Sequence, residues 1–265
     1  MKIGFIGYGN MAKAIAGGIL KKGMVPAAEI CAYDHHEKGS SAAQAAGLTL
    51  LGSAPEVVQQ SAYVFLCVKP QGFAEVLQEI QPFTGPHNVF LSIAAGITTG
   101  TIARQLGYDA PVVRAMPNTP LLLGCGTTAL TKNNAVKEID FTFIKNVFQS
   151  VGTVYDLPED KFNEVINVNG STPAYVYLFA KTVAEYAENS GIPFNLALNM
   201  FCDTMKGSAE MLQHAGKTPD ELITMVSSKG GTTVAALNAF AETGFADSLR
   251  AGMKACVERA YEMGK

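Results

Sequence analysis

Apolar residues in the first half of the chain come in short unbroken runs, and in the last third they recur at three- and four-residue spacing. Unbroken runs of roughly four to eight suit strands buried on both faces, whereas the wider spacing suits one face of a helix. Residues 3–6, 29–33, 62–68, 88–93 and 111–116 therefore read as strands, 153–155 as a last one, and 14–22 and 135–149 as helices. From about residue 160 the pattern is helical. Asn169-Gly170-Ser171-Thr172-Pro173 starts one helix, with Pro173 in its first turn, another spans 194–213, Thr218-Pro219-Asp220-Glu221 is a capping signature, and 246–263 is amphipathic. This order predicts an α/β chain: a doubly wound, mostly parallel sheet over residues 1–157, then an all-α domain over 158–265. The boundary falls at Leu157-Pro158, where the strand pattern stops.

The strand ends carry the chemistry. Gly7-Tyr8-Gly9-Asn10-Met11-Ala12 lies between a strand and a helix, the setting of a dinucleotide fingerprint. Gly7 permits the tight turn, Gly9 lets the backbone approach a pyrophosphate, and Ala12 lets the helix pack close to the sheet. Asp34 closes the second strand, where a carboxylate grips the ribose 2′-hydroxyl of NAD, but His35, His36 and Lys38 beside it suit the 2′-phosphate of NADP. Both cofactor forms stay open. Ligands of open parallel sheets sit at the carboxyl ends of strands, so Val68, Lys69 and Pro70 face the cofactor. Ala94-Ala95-Gly96 would admit a flat ring, and Pro117-Asn118-Thr119-Pro120 supplies an amide and a hydroxyl on the same side.

A second glycine turn stands far away, in Ser227-Ser228-Lys229-Gly230-Gly231-Thr232-Thr233, just before a helical stretch. Adjacent glycines at a helix start can converge backbone N–H groups on an anion, so Gly230 and Gly231 are expected to hold a carboxylate or phosphate. One anion site for a cofactor and one for a substrate describe an enzyme.

Composition narrows the partners. A net charge of -3 and no basic block exclude a general attraction to nucleic acid or to an anionic membrane. No apolar run approaches the roughly 20 residues that span a bilayer, and no basic-then-apolar leader precedes Ile3. The five cysteines (Cys31, Cys67, Cys125, Cys202, Cys256) are scattered and unpaired in pattern, which fits reduced thiols in a cytoplasmic protein. No metal is expected, because His35 and His36 have no further ligands at a recognisable spacing. The Tyr175, Tyr177, Phe179 and Phe201 rings are more than a short helical domain can enclose, so a dimer built by helix packing is expected, the alternative being that they cover the first domain within one chain.

The chain resembles the Δ1-pyrroline-5-carboxylate reductase family along essentially its whole length. The resemblance rests on the first glycine loop, on Val68-Lys69-Pro70-Gln71, on Met116-Pro117-Asn118-Thr119-Pro120, on Asn169-Gly170-Ser171 with Pro173-Ala174-Tyr175, and most specifically on residues 227–233. It implies NADPH- or NADH-dependent reduction of a cyclic imine to proline, a Rossmann domain, and an interlocked helical homodimer that in the family often assembles into larger rings. By the same resemblance Gly7, Tyr8, Gly9, Asn10, Met11, Val68, Lys69, Ala95 and Asn118 contact the cofactor. Gly230, Gly231, Thr232, Ser171 and Asn118 surround the substrate, and Thr233 bonds the ring nitrogen. Two positions depart from the family: Lys229 stands where proline is usual and Thr172 where glycine is. Asp34 also departs from the small or polar residues of NADPH-preferring members. Two other readings stay open. A β-hydroxyacid dehydrogenase would need a lysine acid on the helical domain, with Lys181 and Lys206 as candidates, and a nucleotide-binding regulator would have lost its chemistry.

Overall fold

The computed structural model describes residues 2–263. Its strands are β1 (Ile3–Ile6), β2 (Ile30–Tyr33), β3 (Thr49–Leu50), β4 (Tyr63–Leu66), β5 (Val89–Ser92), β6 (Val112–Met116), β7 (Gly126–Lys132) and β8 (Gly152–Asp156). They form one sheet in the order β3-β2-β1-β4-β5-β6-β7-β8. From β3 to β6 all neighbours run parallel, with Ile3 of β1 set between Ile30 of β2 and Tyr63 of β4. β7 then turns antiparallel to β6, placing Met116 opposite Ala129, and β8 follows β7 in parallel. The direction in which strands are added reverses between β1 and β4, the switch point at which doubly wound sheets bind nucleotides.

Every residue of β1, β4, β5 and β6 is buried, which is why these strands read as unbroken apolar runs. Ile3, Phe5, Phe65, Leu91 and Val113 pack on one face with Ile15 and Ile19 of α1 (Asn10–Lys21) and with Ile144 and Phe148 of α6 (Glu138–Gln149). Ile6, Val64, Leu66, Phe90 and Val112 pack on the other with α3 (Ala54–Gln60), α4 (Phe73–Ile80) and α5 (Thr99–Leu106). Each such fully buried Phe, Leu or Ile contributes about 1.5–3 kcal/mol relative to exposure.

The chain divides into two compact units, Met1–Pro173 with Cys256–Lys265, and Ala174–Ala255. The first therefore extends past the expected line at Leu157-Pro158. Phe162 and Ile166 pack with Met116 and Ala129, and Ala260 from α11 (Phe245–Met263) joins the same cluster. A buried arginine fixes this region to the sheet. Arg114 of β6 is only 1% exposed, lies 3.6 Å from a Glu159 oxygen, and sits 4.9 Å from the centre of the Phe162 ring. Glu159 in turn accepts from both the amide and the hydroxyl of Thr99, each at 2.7 Å, at the start of α5.

The second unit is helical: most of α7 (Thr172–Asn189), α8 (Phe194–His214), α9 (Pro219–Met225), α10 (Thr232–Glu242) and the first part of α11. The capping signature is realised, with Thr218 and Glu221 each bonding the other's backbone amide. Within this unit Phe179 meets Phe201 edge-on at 5.0 Å, yet Tyr177, Leu178, Tyr186, Leu196 and Met200 remain exposed.

Candidate active site

The first glycine loop crosses the switch point. Gly7 takes φ +85° and its amide donates to the Tyr33 oxygen at 2.8 Å, so the loop is anchored to the end of β2. A Cβ there would meet the Cys67 carbonyl at 2.8 Å, a closeness only glycine permits. Gly9 is the N-cap of α1 and no side chain caps that helix. The helix begins at Asn10, four residues ahead of the expected start, because the loop passes directly into it. First-turn amides of a helix have no intrahelical acceptor, so Asn10 and Met11 present theirs with the positive end of the helix dipole. A Cβ on Gly9 would project into open space, the space a pyrophosphate would take. The residues present thus fit a dinucleotide.

A cleft of about 530 Å³ opens here, lined by Gly7, Gly9, Asp34, Val68 and Lys69 among others. His35 and His36 line it as well, their rings 3.7 Å apart. Lys69 and Pro70 start a short 3₁₀ turn (Pro70–Gly72) directly after β4. Tyr8 is different from the sequence expectation. Its ring is buried against Phe5 at 5.9 Å and its amide is engaged by Asp34, so neither faces the cleft. Burial, with Cys67 beside it, pushes the Tyr8 phenol up to about 12, which keeps it neutral in the core.

A second group gathers at the carboxyl end of β6. Asn118 accepts from the Thr127 amide at 2.8 Å, while the Asn169 side chain donates to the Met116 oxygen at 2.6 Å and to the Thr127 oxygen at 3.3 Å. Thr127 is thus held through both its backbone groups. Ser171 lies in the same turn, its hydroxyl 3.3 Å from the Cys256 sulfur, and Ala95 packs against the apolar cluster that includes Met116. Thr172 donates its hydroxyl to the Asn167 oxygen, so the side chain that departs from the family pattern braces its own turn.

In the helical unit, Ser228, Lys229, Gly230 and Gly231 form a turn in which Gly230 takes φ +72°. The Gly231 amide donates to the Ser228 oxygen at 2.9 Å. That corrects the expectation that both glycine amides are free for an anion. Gly231 is instead the N-cap of α10 without a side-chain cap, and the open first-turn amides belong to Thr232 and Thr233. Lys229 is exposed. Lys181 and Lys206, the acids a carbonyl reductase would need, are exposed and pair with Glu185 and Asp203 on their own helices.

The sequence reading passed over Asn169 as a contact, Thr127, Gly39 beneath the Asp34 carboxylate, and the cleft residues Glu75 and Glu79. Only Glu75 and Glu79 had a signal, four apart on one helix.

Comparison with known proteins finds relatives along the whole chain. The family model described as pyrroline-5-carboxylate reductase dimerisation matches residues 159–263, and one described as NADP oxidoreductase coenzyme F420-dependent matches residues 2–96. The pyrroline-5-carboxylate reductase of Escherichia coli (strain K12) is 37% identical over 265 residues, covering 100% of this chain and 98% of that protein. Among solved structures, Plasmodium falciparum pyrroline carboxylate reductase with NADP bound superposes with TM-score 0.92 at 27% identity, covering 100% of this chain and 98% of that one. The 1-pyrroline-5-carboxylate reductase of Streptococcus pyogenes gives TM-score 0.92 at 31% identity, covering 99% and 98%.

Proposed function

This chain belongs to the pyrroline-5-carboxylate reductase family, and on that footing we propose that it reduces 1-pyrroline-5-carboxylate to L-proline with NADPH or NADH, the last step of proline biosynthesis. One observation carries this reading: similarity over the whole length coincides with an uncapped glycine turn at the switch point of the sheet.

A bound reduced nicotinamide supplies hydride from its C4 to the imine carbon. Everything else falls to the residues of the chain. The amides at the start of α1 hold the pyrophosphate, with Val68, Lys69, Pro70, Ala95 and Asn118 placed along the carboxyl ends of the strands for the rest of the cofactor. In the helical unit the Thr232 and Thr233 amides hold the substrate carboxylate, with Gly230 and Gly231 shaping the turn that presents them. The Thr233 hydroxyl, which can donate or accept, orients the ring nitrogen. An imine nitrogen that arrives protonated needs no strong acid, so orientation and exclusion of water suffice. This accounts for a site without an Asp-His pair or a catalytic lysine.

We assign residues 1–157 to cofactor binding and 158–265 to substrate binding and dimerisation. The exposed apolar side chains of the helical unit support a homodimer, with further assembly into rings as a larger form. No described helix is long and apolar enough to cross a membrane, and scattered free cysteines support a cytoplasmic location.

The purified protein, mixed with 1-pyrroline-5-carboxylate and either reduced cofactor, tests the reading. Equal loss of reduced nicotinamide and gain of proline is expected. Turnover of a β-hydroxyacid and not the imine, or cofactor binding without turnover of either, would replace it with one of the alternatives.

A further inference from the structure

We propose that Asp34 makes this enzyme select NADH over NADPH, an inference that rests on the reading above and specifies which of its two cofactors the site is built for. The carboxylate sits at the end of β2, where an acidic group meets the adenosine ribose of a bound dinucleotide. What the structure adds is that it cannot turn aside. One oxygen accepts the Tyr8 amide at 2.6 Å and the other accepts the His36 amide at 2.8 Å, so the glycine loop and the start of α2 (Glu37–Ala45) hold it from two directions. Gly39 closes a third. A Cβ built on Gly39 would overlap the Asp34 carboxyl carbon and one of its oxygens, so the group fills the space that any other residue at position 39 would need.

A carboxylate is only an acceptor, and its remaining lone pairs suit the hydroxyls of a ribose. A 2′-phosphate offers no such hydrogen under neutral conditions and brings a second negative charge against a fixed one. The neighbourhood adds to the repulsion. Glu75 and Glu79, four residues apart on α4, line the same cleft, against Lys69 and the two imidazoles. Lys38, which the sequence offered as a partner for a phosphate, is exposed and lies outside the cleft lining.

The test is direct titration of the full-length protein with NADH and with NADPH, followed by cofactor fluorescence without substrate. Wild type is expected to bind NADH about tenfold or more tightly than NADPH, the scale of one unscreened like-charge contact. Asp34→Asn keeps the shape and one acceptor but removes the charge, and is expected to narrow that ratio by about the same factor. Gly39→Ala serves as a second variant, displacing the carboxylate without deleting it, and should shift the ratio in the same direction. Equal or tighter binding of NADPH by wild type overturns the proposal, as does an unchanged ratio in a folded Asp34→Asn protein. Because no substrate is present, a protein that prefers NADH yet leaves the imine untouched would refute the reductase reading alone.

Discussion

Asn169 donates its side-chain amide to the Met116 carbonyl oxygen at 2.6 Å, tying the turn before α7 to the last residue of β6. The same side chain is buried and also reaches Thr127, whose amide Asn118 holds. Replacing Asn169 with Ala leaves buried carbonyls without a donor, and a loss of about 1–3 kcal/mol in unfolding free energy is expected from urea titration. Asn118 would lose its fixed neighbour, so kcat should fall as well. An Asn169→Ala protein as stable as wild type would show that this clamp does not carry the turn.

The two glycines of the first loop are expected to fail in different ways. Gly7→Ala forces a Cβ against the Cys67 carbonyl at φ +85° and should cost about 1–3 kcal/mol of stability. Gly9→Ala adds its methyl to open cleft and should leave the melting temperature near wild type while cofactor affinity drops. Thermal melts beside cofactor titrations separate the two, and a Gly9→Ala protein with unaltered affinity would remove Gly9 from the pyrophosphate site.

The parallel strands were legible in the sequence because burial on both faces leaves a run such as Val64, Phe65 and Leu66 with no polar interruption. β7 was not. Its Gly126–Lys132 segment has only Leu130 as a large apolar residue, and it enters the sheet through pairing with β6 and β8, a long-range event without local signature. β3, two exposed residues long, had none either. The glycine turns were legible as turns, but the partners of their amides were not: Asp34 engaging Tyr8 and Ser228 engaging Gly231 are properties of folded geometry. The reach of the first unit past Leu157 was hidden for a similar reason, since Phe162 and Ala260 lie far apart in sequence.

The role proposed for Thr233 rests on one oxygen. Thr233→Ala is expected to keep the fold and cofactor affinity and to lose roughly tenfold or more in kcat, the scale of one positioning bond. Thr233→Ser should restore most of it. Steady-state kinetics identical to wild type in the alanine variant would take this hydroxyl out of the mechanism.

Arg114 depends on Glu159. Burial pushes the guanidinium pKa down and Glu159 opposes that shift, so the carboxylate is what makes the buried charge tolerable. Glu159→Ala leaves the charge uncompensated and also uncaps Thr99, with an expected cost of about 3–5 kcal/mol by chemical denaturation. Arg114→Met combined with Glu159→Gln should recover most of that loss. A double variant no more stable than Glu159→Ala would mean the packing, not the charge, is at stake.

The homodimer is expected to depend on the exposed apolar residues of the helical unit. Tyr186, 76% exposed in the single chain, and Leu178 are suitable positions for aspartate. Sedimentation of wild type should give twice the 28.0 kDa chain mass, and Leu178→Asp with Tyr186→Asp should shift it toward one chain. An unaltered assembly would place the contact elsewhere on the unit.

The last helix returns to the first unit, where Ala260 joins Phe162 and Ile166 and the Tyr261 hydroxyl donates to Glu164 at 2.6 Å. During synthesis on the ribosome the sheet therefore emerges early, but the cluster over Met116 and Ala129 closes only once residue 260 has left the exit tunnel. A chain halted after residue 173 would lack Ala260 and leave Phe162 and Ile166 without that neighbour, so the early-made part of the fold waits on the late-made part.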